Sequence, residues 1–431
     1  MNSSRQLRSS LARQTQALIL AGGRGARLKM LTDWRAKPAV PFGGQFQVID
    51  FALSNCLHSD VRRIAVLTQY KSHSLMRHLM LGWNRLNSEY GGLLDLIPAQ
   101  QWLEDETWYQ GTADAVYQSL DIIGSHDHKY FLVLAGDQIY TMDYGVMLDA
   151  HAGQRADITV ACNKVPLAEA SQFGVMEIDH DQRVVGFEEK PAEPKPMPDD
   201  PEHALVSMGI YVFSSGYLRR TLTRDAEDHT SSHDFGNDVI PHAVQSDHNV
   251  QAVLLEQASP GRPYWRDVGT LDAFFQANLE LLADDPVLDL YDQRWPIFTR
   301  LHQSPPAKFC AGEAGRGCNI SASAVSIGCV VTDSVLHRVM LGSDCRVDSG
   351  CRLEQVVALP NCHIEEGCRL TGVLVDNGCQ IPAGTIIGED RSYDEARFYV
   401  TEEGVVVVNR EMLGQKHRYQ PVDPPHLSGL H

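Results

Sequence analysis

The chain has no C-x-x-C pair, no G-x-x-x-x-G-K-[ST] loop and no run near the roughly 18 apolar residues that a membrane helix needs. These gaps argue against a zinc site, P-loop chemistry and a helical membrane span. Positive charge is also scarce. Lys and Arg number 37 against 55 Asp and Glu, a net charge of -18, so no general affinity for nucleic acid or for an anionic membrane is expected. Any phosphate must therefore be held by a local cluster of cations. The stretch 1–16 is polar and lacks an apolar h-region, from which a cytoplasmic location is expected. With 431 residues there is room for two or three domains with ample core.

Against that background one stretch stands out, Ala17-Leu-Ile-Leu-Ala-Gly-Gly-Arg-Gly-Ala-Arg27, with Lys37-Pro-Ala-Val-Pro41 following. An apolar run opening into Gly22, Gly23 and Gly25 reads as a buried parallel strand whose carboxyl end becomes a loop of bare backbone N–H groups. Arg24 and Arg27 add two guanidinium groups, and Lys37 adds a third cation from a segment that Pro38 and Pro41 are expected to hold extended. Such a loop receives phosphate. Its spacing is not G-x-G-x-x-G either, so a dinucleotide fold is not indicated.

Further strands are expected over 61–67, 130–135, 157–162 and 207–213, with a hairpin of 173–178 and 183–190 about the Asp179-His-Asp turn. Gln69 stands just past the carboxyl end of the second strand, where open parallel sheets place ligands. Helices are expected over 72–86, over 112–123 with Thr112 as N-cap, and over 271–282. Gly111 would let a planar base approach the backbone, and the helix N-terminus beside it suits an anion. Tyr130-Phe-Leu-Val-Leu-Ala-Gly-Asp137 ends a buried strand in a carboxylate, which suits Mg2+ between phosphate oxygens. Lys190, fixed before Pro191, reads equally as a phosphate ligand or a solvated lysine. His73 and His78 lie too far apart around their helix to share a metal, and adjacent His233 and Asp234 do not by themselves make a dyad.

Prolines 286, 296, 305 and 306 mark a linker. Eight of the ten cysteines follow residue 309, and seven of these recur as Cys-x-[Val/Ile/Leu]: Cys318, Cys329, Cys345, Cys351, Cys362, Cys368 and Cys379. This is a hexapeptide repeat, in which cysteine acts as a small apolar filler. The domains are therefore expected at 1–290 and 311–431, with a linker over 291–310.

The motif L-A-G-G-x-G-x-R-L followed by Lys-Pro resembles the sugar-1-phosphate nucleotidylyltransferases. The runs Arg35-Ala-Lys-Pro-Ala-Val-Pro-Phe-Gly-Gly44 and Ile49-Asp-Phe-Ala-Leu-Ser-Asn55, with Ser232-His-Asp-Phe-Gly236 and Tyr264-Trp-Arg-Asp-Val-Gly-Thr270, are similar to its bacterial glucose-1-phosphate adenylyltransferase branch. The resemblance runs through most of the chain. It implies an α/β nucleotide-diphospho-sugar transferase domain followed by a left-handed parallel β-helix, and the conversion of ATP and α-D-glucose 1-phosphate into ADP-glucose and pyrophosphate on the way to glycogen. It further implies Arg24, Arg27 and Lys37 at the reacting phosphates, Asp137 and Asp267 on Mg2+, and Lys190 on the sugar phosphate. Gly22, Gly23, Gln69 and Gly111 would meet ATP; Tyr109, Gly174, Glu189 and Ser207 would surround the sugar. A homotetramer is implied too.

Relatives activated by fructose 1,6-bisphosphate and inhibited by AMP carry a cationic effector pocket, of which this chain keeps Arg35 and Arg410. Trp34, Pro41, Gln47, Asn377 and Gly414 stand where those enzymes have cations, while Lys29, Lys416 and Arg418 could compensate. The rival readings are a dTTP- or UTP-using transferase, a non-catalytic regulatory paralogue, and an acyltransferase of the β-helix class. That last class needs a histidine base, and His337 and His363 lack a visible partner in the sequence.

Overall fold

The computed structural model describes residues 2–23, 25–83, 92–99, 108–123, 128–313, 315 and 317–415. They form two compact units. One comprises the described parts of Met1–Val40, Gln47–Gly269 and Val287–Leu301; the other comprises Pro41–Phe46, Thr270–Pro286 and the described part of His302–His431.

In the first unit β1 (Thr15–Leu20), β2 (Arg63–Thr68), β3 (Leu93–Pro98) and β4 (Tyr130–Ala135) are parallel in the order β4-β1-β2-β3. The chain runs outward from β1 to β3 and then crosses back to the far side of β1, so strand order reverses there. An open α/β sheet parts its loops at such a switch point and leaves a crevice for ligand. Leu20 is level with both Leu67 and Ala135, which brings the glycine loop, Gln69 and Asp137 out at one edge.

Both faces of these strands are covered, which is why their sequence is continuously apolar rather than alternating. Ala17, Ile19, Ile64, Val66, Leu132 and Leu134 pack with helices α2 (Ile49–His58) and α3 (His73–Gly82). Leu18, Ala65, Leu67, Phe131 and Val133 face α4 (Thr112–Ile123) and α6 (Ser215–Glu227), α5 being Tyr144–Gly153 and α1 Asn2–Arg13. Helix α3 ends at Gly82; the last residues of the expected helix, 84–86, lie outside the described residues.

Five more strands complete the sheet: β5 (Ile158–Pro166), the hairpin β6 (Gly174–Ile178) and β7 (Val184–Glu189), β8 (His203–Ser214) and β9 (Val250–Leu254). Strand β8 runs antiparallel to both β4 and β5 and shifts register against β5 between Ser207 and Tyr211, where Gly209 takes φ 67°. The same strand thus serves the central sheet at one end and the hairpin at the other.

The expected linker is not a free connection. Trp295 Nε1 donates to Asn55 Oδ1 at 2.9 Å, Phe298 N to Ser54 Oγ at 2.9 Å and Thr299 Oγ1 to Asp50 Oδ2 at 2.6 Å. Buried Asp50 also accepts from Trp83 Nε1 at 2.8 Å and lies 2.6 Å from His78 Nε2. The motif around residue 50 is therefore an anchor for 287–301, and proline content there reflects an irregular path over a surface rather than looseness.

The second unit is the parallel β-helix. Arg346, His363 and Gln380 are in register, as are Val335, Arg352, Arg369 and Ile386, so successive coils there repeat every 17 residues. Cysteine intervals of six and eleven residues are one such coil divided at its corners. The thiols do more than fill. Cys345 donates to Leu359 O at 3.3 Å, Cys351 to Glu365 O at 3.1 Å, Cys362 to Asp376 O at 3.1 Å and Cys368 to Pro382 O at 3.1 Å, each serving a carbonyl 14 residues on. A weak donor of small volume gives each of these interior backbone oxygens a hydrogen bond that alanine or valine could not, in addition to the bonds that Asp376 O and Pro382 O accept from Cys379 N and Thr385 N.

The helix Leu271–Glu280, expected to close the first domain, belongs to this second unit. Phe274 meets Phe42 edge to face at 6.0 Å, and Asn278 Oδ1 accepts from Gly43 N at 2.9 Å. Sequence order hid this, because the partner segment 41–46 lies far upstream.

Candidate active site

Four charged side chains meet beyond the carboxyl ends of β1 and β4. Lys37 Nζ lies 3.1 Å from Asp137 Oδ2 and 2.8 Å from Asp267 Oδ1, and Arg27 Nη2 lies 3.2 Å from Asp267 Oδ2. Lys37 is only 5% exposed while Arg27 is 58% exposed, so one cation is built into the floor and the other is open to a ligand. Lys37 lies in a single 3-10 turn, Lys37–Ala39, and not in an extended stretch; Pro38 at the start of a turn loses no hydrogen bond, and the extended residues are Ala36 and Val40 on either side of it. Glycine leaves room on either side of the cluster. A Cβ on Gly25, at φ 59°, would lie 3.1 Å from Lys37 Cβ, and one on Gly269 would lie 2.7 Å from Arg27 Nη2.

Burial is the strongest single influence on Lys37 and by itself favours the neutral amine. The attraction and hydrogen bonds of Asp137 and Asp267 together outweigh it and hold the pKa above the ordinary lysine value. For Asp267 burial again acts first, toward protonation, but Lys37 and Arg27 bring the net value below the ordinary one. Two convergent carboxylates with open space for phosphates match the usual protein share of an Mg2+ site, which takes one or two carboxylates and completes its shell from phosphates and water.

Gly22 and Gly23 adjoin this cluster. A Cβ on Gly22 would lie 3.1 Å from Gln69 Cβ, while nothing lies within 4 Å of a Cβ position on Gly23. Gln69 Nε2 donates to Tyr109 O at 3.4 Å, which ties the strand end to the 108–111 segment. Arg24 lies outside the described residues.

On the other side of β4, Gly174 pairs with Glu189 across the β6–β7 hairpin, and Val206 pairs with Val175, so Ser207 stands beside Gly174 on β8. Glu189 Oε2 lies 2.7 Å from the Cβ positions of both Gly174 and Gly236. Two glycines thus seat one carboxylate. Lys190 Nζ contacts Glu189 Oε1, its side chain is 63% exposed, and its backbone takes φ 47° before Pro191. Left-handed backbone in a non-glycine residue is uncommon and carries strain, which at a ligand clamp is informative. Gly236, Gly269 and Gly209 sit in motifs or strands visible in the sequence, but only the fold shows why each is glycine: close neighbours for Gly236 and Gly269, and a φ of 67° for Gly209.

The 111–112 readings change. Ala113 N and Asp114 N donate to His233 O at 2.8 and 3.3 Å, and a Cβ on Gly111 would lie 2.2 Å from that oxygen. The first amides of α4 already hold a backbone carbonyl, so they do not receive an anion, and the missing side chain of Gly111 admits the 232–233 backbone. Thr112 Oγ1 does not cap its own helix: it donates to Asp234 Oδ2 at 2.8 Å and accepts from Phe235 N at 3.0 Å. In the second unit His363 has a partner after all, with Nε2 2.7 Å from Asp348 Oδ2, and His337 Nδ1 lies 2.9 Å from Ser321 Oγ. Arg410 Nε donates to Gly378 O at 2.7 Å; Arg35 belongs to the first unit, and Lys416 and Arg418 lie outside the described residues.

A switch-point crevice with a glycine loop, two cations and two carboxylates suits the transfer of a nucleotidyl group, and residues 16–284 match the family model described as nucleotidyl transferase. Residues 305–408 match the one described as GlmU-like, C-terminal hexapeptide. Among curated relatives, glucose-1-phosphate adenylyltransferase 1 of Alkalilimnicola ehrlichii is 55% identical over 95% of this chain and 96% of its own length. The glucose-1-phosphate adenylyltransferases of Nitrosococcus oceani (52%, over 97% and 99%) and Methylococcus capsulatus (50%, over 96% and 98%) are similar throughout as well. The chain belongs to the glucose-1-phosphate adenylyltransferase family of nucleotidyl transferases.

Proposed function

We propose that the chain transfers the adenylyl group of ATP to α-D-glucose 1-phosphate, giving ADP-glucose and pyrophosphate. The observation that carries this reading is the convergence of Asp137 and Asp267 on buried Lys37 beside the glycine loop. A phosphate oxygen of the sugar phosphate attacks the α-phosphorus of ATP, and the bond from that phosphorus to the bridging oxygen of pyrophosphate breaks. The nucleophile has a second pKa near ~6 and is largely dianionic at neutral pH, so no general base is required.

The work is positioning and neutralising charge. Asp137 and Asp267 would hold Mg2+, which supplies positive charge between phosphate oxygens when bound. Lys37 keeps its proton and stands against the reacting phosphates; Arg27, with Arg24, takes the β- and γ-phosphates and the departing pyrophosphate. Lys190 holds the phosphate of the sugar, with Glu189 and Ser207 at its hydroxyls and Gly174 and Tyr109 around it. Gly22, Gly23 and Gln69 line the nucleotide side; Gly111, whose side-chain space the 232–233 backbone fills, would meet the base through its own backbone only.

ATP is expected to be turned over far faster than UTP or dTTP, as read by initial rates with each nucleotide at one concentration. Equal turnover of dTTP would replace the adenylyl assignment. The same reading includes a cytoplasmic homotetramer with phosphorylated effectors. Arg35 and Arg410 remain of the effector cations, and each charge-assisted hydrogen bond lost costs about 1.5–3 kcal/mol, so fructose 1,6-bisphosphate and AMP should act weakly. An effector titration at subsaturating substrate checks this, and activation above about tenfold, some 1.4 kcal/mol, at micromolar fructose 1,6-bisphosphate would overturn it.

A further inference from the structure

The segment 231–236 crosses the N-terminus of α4, and its backbone is held there by a side-chain anchor. His233 takes φ 55°, a left-handed conformation that a non-glycine residue adopts at a cost. Its Nδ1 lies 2.9 Å from Asp225 Oδ2, its N–H donates to Ser231 Oγ at 2.9 Å, and Ser231 Oγ donates to Asp225 Oδ1 at 2.8 Å. Asp225 is buried on α6, and the ring of His233 is 12% exposed. Buried pairing of this kind fixes one geometry.

That geometry aims the carbonyl of His233 at Ala113 N and Asp114 N, over a position that only glycine can occupy at 111. One residue on, Asp234 accepts from Thr112 Oγ1 at 2.8 Å and, with its other oxygen, from Gly236 N at 2.8 Å. Gly236 is in turn packed against Glu189. The segment 108–114, which carries Gly111 of the nucleotide side and Tyr109 of the sugar side, and the segment 231–236, which packs on Glu189 of the sugar side, therefore share one joint.

We infer that His233 is a positioning residue for adenylyl transfer: anchored by Asp225, it clamps segments 108–114 and 231–236 together, so that both substrates depend on it although it touches neither. This rests on the proposed reading of the two sides. His233→Ala removes the anchor and disfavours the left-handed backbone, whereas His233→Asn keeps a residue that tolerates that backbone. For His233→Ala the KM values of ATP and glucose 1-phosphate should both rise, roughly three- to tenfold, the worth of one hydrogen bond. The kcat should stay within about twofold, because the charge cluster is not involved. Amide exchange at Ala113 and Asp114 should quicken in the same variant, and His233→Asn should restore part of both effects.

A fall in melting temperature with both KM values unchanged, or a change in one KM alone, would overturn the inference. Should His233→Ala not fold, Thr112→Val, which removes the hydroxyl shared with Asp234 and Phe235 at nearly constant volume, carries the same paired readout. The exchange arm needs no substrate: unchanged protection at 113–114 sinks the clamp, whereas a wild-type chain inert toward ATP and glucose 1-phosphate sinks the reading of the site and leaves the exchange arm to decide the clamp.

Discussion

Asp137→Asn is expected to lose at least about 100-fold in kcat, about 2.7 kcal/mol of transition-state stabilisation, with its melting temperature little changed. The substitution keeps shape and removes one charge. Asp137 is 41% exposed and only one of two carboxylates on Lys37, so the lysine remains paired with Asp267 and no buried charge is left alone. On the proposed reading, what is lost is a ligand for Mg2+, whose charge would act most strongly as charge shifts from the α-phosphorus to the departing pyrophosphate. Measuring kcat and thermal unfolding together separates this from a folding defect. A near-wild-type rate at saturating Mg2+ would end the metal assignment.

Lys190→Ala should raise the KM for glucose 1-phosphate by roughly 10- to 100-fold and leave that for ATP nearly unchanged, the equivalent of one charge-assisted hydrogen bond of about 1.5–3 kcal/mol. The lysine ends β7 in a left-handed conformation held by Lys190 N donating to Phe173 O at 3.0 Å, with its amine on Glu189 and open to solvent. A grip present in the ground and transition states alike changes KM more than kcat. Steady-state kinetics with each substrate varied in turn provides the check. If the ATP KM moves instead, the two sides of the crevice have been exchanged.

The sheet and the glycine loop were legible because their signals are local. Ala17–Ala21, Ile64–Leu67 and Phe131–Leu134 are apolar without alternation, as strands covered on both faces must be, and Asp137 follows the last of them directly. The coils were legible because the cysteine pattern repeats, though the 17-residue period required reading the intervals of six and eleven as one turn. What stayed hidden depends on residues distant in sequence. Lys37 and Asp267 are 230 positions apart, and nothing in the string shows that the lysine sits between two carboxylates. Gly111 invited a ligand because a missing side chain looks the same whether a base or the Ser232–His233 backbone fills the space. Thr112 had the residue type and place of an N-cap, yet its hydroxyl serves Phe235. The stretch 291–310 reads as a linker because it has no periodicity, but irregular backbone tethered at Trp295, Phe298 and Thr299 has none either.

Release of pyrophosphate from ATP, with and without α-D-glucose 1-phosphate and in the presence of Mg2+, tests the central claim most directly. Pyrophosphate and ADP-glucose are expected in equal amounts, and only when both substrates are present. Binding of either substrate with no turnover, or turnover that ignores the sugar phosphate, would contradict it.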